Sequence, residues 1–219
     1  MKINPFYDTW EFLLGRTGDH GNAGLFFAWI LTLGFLVLLA AGAWIAWRNW
    51  QDDPTQRTAE NVWTWLMRTL IGCMWFQGSL WKLPLPVSGG LTGWTGQLAE
   101  HAAFPLHSWI ANNIFIPALP ILNPIVFLTE FGLAVSFILG FFVRPFAVLG
   151  MLFVAHLWLG LYRHPGEWPW LYVFLIFVQG MFYLHNAGKS LGLDAMMVRK
   201  PWGPLVGKGA IANLYRRFA

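Results

Sequence analysis

The segment Arg68–Pro84, RTLIGCMWFQGSLWKLP, limits what this chain can fold into more than any other stretch. It is an apolar run of helix length with Arg68 at one end, Lys82 at the other and Gln77 inside. Trp63, Trp65, Trp75 and Trp81 lie within or beside it. A water-soluble domain has no use for such a helix. In a bilayer the apolar stretch spans, the cations reach the two headgroup layers, and the tryptophans settle at the interfaces.

Composition agrees. Only 11% of the 219 residues are charged, where a soluble domain carries about a quarter. The 15 Trp and 19 Phe suit aromatic belts at a lipid boundary. The net charge of +4 is no nucleic-acid signal, because the cations sit at helix ends and in the tail rather than in a basic stripe. The single cysteine, Cys73, excludes an intrachain disulfide, a CxxC pair, a CxxCH haem attachment and an iron–sulfur cluster held by this chain alone. It reads as a small apolar core residue. Residues 1–22 contain Asp8, Glu11 and Asp19 and lack a cleavable apolar core, so they read as an extracytoplasmic segment and not a secretory signal.

The pattern predicts an all-α integral membrane bundle of five transmembrane helices with short interfacial helices. The spans fall at about 23–47, 62–82, 124–143, 146–162 and 168–185. At ~1.5 Å per residue these match a hydrocarbon core of ~30 Å. Asp53-Pro54 reads as a helix start running to about Lys82, ended by Pro84 and Pro86. The connection 83–123 contains TGQLAEHAAF and PLHSWIANNIF, which read as short helices in the interface. Asn123-Pro124 opens the third span, and Arg144-Pro145 marks a tight turn into the fourth. Gly132, Ser136 and Gly140, four residues apart, form a small-residue stripe for close helix approach.

Orientation follows from Lys and Arg. With a cytoplasmic C-terminus, Arg48, Arg57, Arg68, Arg144, Lys189, Arg199, Lys200, Lys208, Arg216 and Arg217 lie inside. Lys2, Arg16, Lys82 and Arg163 lie outside. The positive-inside rule then predicts an inner-membrane, multi-pass protein with its N-terminus out and C-terminus in. Residues 198–219 read as a basic cytoplasmic tail with a surface helix.

Ionisable groups inside spans are costly and mark candidate sites. Glu130 lies ~10 Å below the outer end of span three, His156 ~9 Å below that of span four, and Gln77 ~8 Å inside Lys82. Three helices thus place a carboxyl, an imidazole and an amide at one depth. Either they form a hydrogen-bonded layer that fixes helix register, or they form a pocket where a quinone head group or proton is handled, with Glu130 and His156 as acid and base. Above them lie Lys82, Arg163, His164, Glu167, Trp168 and the neighbouring His101 and His107. Lys82 and Arg163 either bind a small oxyanion or snorkel to headgroups. Arg68 and Arg144 read as phosphate-contacting anchors on the inner side. No histidine pair has axial-haem spacing, and HExxH, GxSxG, P-loop and GxGxxG patterns are absent. No metal or flavin motif is present.

Several motifs carry a resemblance to a known family. They are R-x3-G-x2-W-x-Q-x4-WKLP at Arg68–Pro84 and TE-x-G-x6-LG-x3-RP at Thr129–Pro145, followed by EWPW at Glu167–Trp170 and AGKSLGLDAMM at Ala187–Met197. Over about residues 60–197 the chain resembles the DoxX/DoxD family, most closely the DoxD-type small subunit of thiosulfate:quinone oxidoreductase. The resemblance implies a four-helix core, here with one added N-terminal span, working beside the quinone pool. It implies oxidation of two thiosulfates to tetrathionate with electrons passed to quinone. The quinone-side candidates are then Gln77, Trp81 and Trp168; the oxyanion-side candidates are Lys82, Arg163 and His164. The implied partners are the lipid bilayer and a second small subunit or larger membrane complex. The chain departs from the family's fused forms: about 20 residues follow the bundle, without a second domain. A non-catalytic accessory subunit of a respiratory or photosynthetic complex is the other reading. A small-solute transporter is weaker, since no inverted repeat appears.

Overall fold

The computed structural model describes residues 25–199 and Tyr215. The expected N-terminal segment 1–22 and most of the tail 198–219 lie outside the described residues. All regular structure among the described residues is helical.

Helix α1 covers Leu25–Asp52, one turn beyond the expected stop at Arg48. Its last carbonyls are satisfied from the next segment: Arg57 donates to Trp50 O (2.8 Å) and Gln51 O (3.2 Å). Asp53-Pro54 does start a helical turn, with Thr55 N donating to Asp53 Oδ1 at 3.0 Å. That turn, Pro54–Gln56, is a short 3-10 element and not the start of the long helix. A second cap begins the long one: Asn61 N donates to Thr58 Oγ1 (3.2 Å), and α2 runs Ala59–Leu80.

The long connection forms α3 (Gly89–Glu100), capped by Ser88, and α4 (Pro105–Ile110), which runs into a wide π turn at Ala111–Phe115. The second lies where PLHSWIANNIF is expected to be helical; the first begins six residues before TGQLAEHAAF and stops at Glu100. Helix α5 covers Leu119–Leu139 and keeps Pro124 inside. It starts before the expected Asn123-Pro124 boundary, because a proline this close to a helix start forfeits only one backbone bond. The turn into α6 (Val143–Gly160) lies at Gly140–Phe142 and not at Arg144-Pro145. Gly140 (φ +71°) and Phe142 (φ +55°) reverse the chain there. Pro145 sits in the first turn of α6, where its missing N–H leaves no bond unmade. Helix α7 covers Pro169–Leu184. After a left-handed Asn186 and a 3-10 turn at Ala187–Lys189, α8 covers Leu193–Arg199.

Among the described residues three stretches are long and apolar enough to cross a membrane: Trp29–Asp52, Leu119–Leu139 and Val143–Gly160. Helix α7 is apolar and shorter. The chain divides into two compact units, each with segments of the long helices.

Among the described residues the first unit comprises 25–36, 75–131 and 155–173. Phe76 anchors its core, 4.7 Å from the Phe35 ring and 6.1 Å from Phe131. The connection docks on the end of α6. Ala103 N donates to Leu159 O (2.8 Å), Arg163 N donates to His101 O (3.0 Å), and Leu98 fills the space a side chain at Gly160 would need.

Among the described residues the second unit comprises 37–74, 132–154, 174–199 and Tyr215. Here Gly42 of α1 and Gly72 of α2 rest on the α5 backbone. A Cβ on them would come within 2.8 Å of Ile138 O and 2.9 Å of Ile138 N. The expected small-residue stripe works within the α5–α6 hairpin. Gly132 receives the Phe146 ring, and Ser136 Oγ donates to Phe141 O at 2.8 Å.

Arg68 corrects an expectation. It is fully buried, not headgroup-facing, and it donates to Phe137 O and to Ser190 O (3.4 Å). Gly140 makes this possible, since a Cβ there would lie 2.6 Å from Arg68 Nη1. Arg144 lies over the Tyr183 ring, 4.6 Å from its centroid. Asp194 completes the arrangement. Its carboxylate accepts from Phe142 N (2.8 Å) and Val143 N (3.2 Å) at the start of α6, and from the Tyr215 hydroxyl (2.5 Å). Burial pushes the Asp194 carboxyl up, while Tyr215, the two amides and Arg68 favour its ionised form.

Candidate functional site

Every residue the sequence singled out as a site candidate falls in the first unit. The unit brings some of them together and leaves others apart.

Its centre is Lys82 with Glu130. Lys82 follows the end of α2, in a tight turn where its N–H donates to Ser79 O (3.1 Å). Its side chain folds back one turn. Nζ donates to Gly78 O (2.9 Å) and lies 2.6 Å from Glu130 Oε2 of α5. The side chains are 13% and 5% exposed, so Glu130 is buried and Lys82 largely so. Gly78 provides the floor: a Cβ there would touch the Glu130 carboxylate at 3.5 Å. An ammonium has three N–H donors; Gly78 O and Glu130 take two.

Asn123 and Ser88 surround the pair. Asn123 is fully buried, and its Nδ2 donates to Lys82 O (2.9 Å). Ser88 Oγ donates to Trp81 O (2.9 Å) and approaches Asn123 Oδ1 (3.3 Å). Trp81, 38% exposed, tilts against Trp94 with centroids 6.2 Å apart. Gln77 is half-buried five residues before Lys82, and no hydrogen bond joins it to Glu130 or His156 among the described residues.

The histidines pair with each other. His156 of α6 stacks on His107 of α4, centroids 4.9 Å apart at 14°, with Phe115 edge-on at 5.4 Å. Burial holds the His107 imidazole below its ordinary range. His164 meets His101 edge to face at 4.9 Å and Trp94 at 5.8 Å, and its Nδ1 accepts from Gly166 N (3.2 Å). Arg163 is exposed and donates to Ala103 O (3.3 Å). Trp168 is 60% exposed, beside Glu167, whose carboxylate accepts from Tyr172 OH at 2.7 Å.

The single polar layer of Gln77, Glu130 and His156 therefore resolves into an ion pair, a histidine stack and a separate amide. No group of three or more His, Cys, Asp or Glu able to hold a metal occurs among the described residues. Sequence reasoning missed Asn123 and Ser88, because an Asn before Pro and a Ser before Gly-Gly look like punctuation. It also missed Gln179, fully buried in the second unit, whose amide occupies the space Gly150 leaves open. A lone amide inside FLIFVQGMF carried the same signal as Gln77.

Lys82 Nζ is a proton donor and Glu130 a proton acceptor, and Trp81, next to Lys82 in sequence, is an exposed indole. No protein-family model, curated protein or solved structure matches this chain.

Proposed function

We propose that this chain is the membrane subunit of a quinone-linked oxidoreductase of the DoxX/DoxD kind, oxidising thiosulfate to tetrathionate together with a second small subunit. One observation carries the reading: an ion pair buried between apolar helices at Lys82 and Glu130. Burying each ion costs several kcal/mol, and a well-packed apolar pair is often as stable or more so. Such a pair in a membrane protein points to proton or ion handling.

The chemistry demands a proton route. Two thiosulfates, one quinone and two protons give one tetrathionate and one quinol. The sulfur couple releases electrons and no protons, so both quinol protons come from water through protein groups. Lys82 Nζ can donate a proton, and Glu130 can accept one and pass it on. Lys82 thereby moves from the oxyanion side to the proton side of the site. Arg163 and His164, in the outer turn, remain the oxyanion candidates. Trp81, Gln77 and Trp168 remain the quinone candidates, and His156 with His107 is a second imidazole station.

In this reading the chain crosses an inner membrane five times, N-terminus out. Helix α2 crosses despite Arg68 because that guanidinium donates to two protein carbonyls inside the bundle. Glu130→Gln and His156→Ala are each expected to abolish thiosulfate-dependent quinone reduction in the purified assembly while leaving its subunits associated. Full activity in both variants would sink the assignment.

The second reading is a non-catalytic accessory subunit. It is favoured by a sequence with one cysteine and no metal-cluster or flavin motif. A purified complex in which Glu130→Gln alters stability and nothing else would support it.

A further inference from the structure

We infer that Asn123 is the positioning residue of the Lys82–Glu130 pair: one face of α5 holds Lys82 at both ends, its carbonyl through Asn123 and its ammonium through Glu130. The functional meaning of this clamp rests on the proton-handling reading above; its geometry does not.

Asn123 and Glu130 are seven residues apart on α5. At 3.6 residues per turn that is two turns with an offset of about 20°, so both side chains leave the same face. Asn123 Nδ2 meets Lys82 O at 2.9 Å, and Glu130 Oε2 meets Lys82 Nζ at 2.6 Å. Lys82 stands outside the regular part of α2, so its carbonyl has no helix partner and is matched by the amide of Asn123. A lysine side chain has four rotatable bonds and large rotamer entropy. Fixing its backbone is what aims the ammonium at one carboxylate.

Asn112 and Asn113 show what a merely local role looks like: each donates to the carbonyl four residues back, at Ser108 and Trp109. Asn123 instead reaches a residue 41 positions away. Its other amide atom, Oδ1, faces Ser88 Oγ, which also binds Trp81 O and caps α3 by accepting from Leu91 N (3.0 Å). The single Ser88 O–H is shared between Trp81 O and Asn123 Oδ1, and through it Ser88 links α3 to the pair. Asn123 and Ser88 are essentially inaccessible, at 0% and 1% exposure.

The test uses the full chain in lipid nanodiscs and reads Lys82 directly. The rate of acylation of Lys82 by a water-soluble amine reagent is followed by mass spectrometry, with Lys189 as internal reference. In the wild type Lys82 is expected to react slowly, because an ion-paired ammonium is a poor nucleophile. Asn123→Ala is expected to raise its rate relative to Lys189 by several-fold to about tenfold, the scale of one net hydrogen bond. Ser88→Ala is expected to raise it less, with unchanged helix content. Ser88→Ala decides the matter if Asn123→Ala does not fold. An unchanged Lys82 rate in the folded variants would overturn the inference. The readout needs no turnover. Absent thiosulfate activity with a raised Lys82 rate would defeat the proposed function and leave the clamp standing; the converse would defeat the clamp alone.

Discussion

Lys82 and Glu130 would each be costly alone in an apolar interior. Removing one partner leaves an unmatched buried charge, which typically costs about 3–5 kcal/mol. Glu130→Gln and Lys82→Met are therefore each expected to destabilise the protein on that scale. The double variant is expected to be much closer to wild type than the sum, and a double-mutant cycle of unfolding in detergent measures the coupling. Additive losses would show that the pair is not coupled. Glu130 was legible in the sequence as an ionisable group in an apolar helix and Lys82 as a cation at a helix end, but their pairing was not. Depth counted along the backbone put Lys82 in a layer above Glu130, and the lysine side chain folds back a full turn to Gly78. Arg68 shows the same limit. An arginine at a helix end reads as a headgroup anchor, and only the tertiary structure reveals two carbonyls waiting inside.

At the scale of elements, the long helices were legible from apolar runs, and their ends were less so. Asp53-Pro54 and Arg144-Pro145 are strong local signals, yet tertiary partners moved both boundaries. Arg57 extends α1, and Asp194 caps α6 two residues before Pro145. The α5–α6 turn depends on Gly140, whose φ of +71° and contact with Arg68 leave no room for a Cβ. Gly140→Ala is expected to cost about 1–3 kcal/mol from backbone strain alone, visible as a lowered melting temperature. An unchanged melting temperature would contradict the turn geometry. Asp53 tests the tie between the α1–α2 turn and α8. The Thr55 hydroxyl, its amide and Arg199 Nη1 at 3.1 Å hold its carboxyl below the usual 3.8. A carboxyl depressed on folding contributes stability above its unfolded value and loses it as pH falls through the folded one. Wild type is therefore expected to lose more thermal stability than Asp53→Asn between pH 6 and pH 3. Parallel losses would show that the tie contributes nothing.

At the scale of the whole molecule, aromatic content and the scarcity of charge made the membrane class readable, and the described helices bear it out with three stretches long enough to span. The orientation is a prediction from the cation count. In a Cys73→Ser background, Thr92→Cys in α3 is expected to react with an impermeant thiol reagent added outside intact cells. Gln51→Cys, at the end of α1, is expected to react only after the membrane is opened. The reverse pattern would invert the topology. The proposed role in thiosulfate-dependent quinone reduction is tested on the native assembly. The native assembly is purified in mild detergent, its subunits are identified, and thiosulfate-dependent reduction of a water-soluble quinone analogue is recorded on the same sample. The account predicts tetrathionate and quinol formed one to one, with a second small subunit present. A larger respiratory or photosynthetic complex containing this chain, with no thiosulfate-dependent reduction, would contradict it and make the Lys82–Glu130 pair a structural joint.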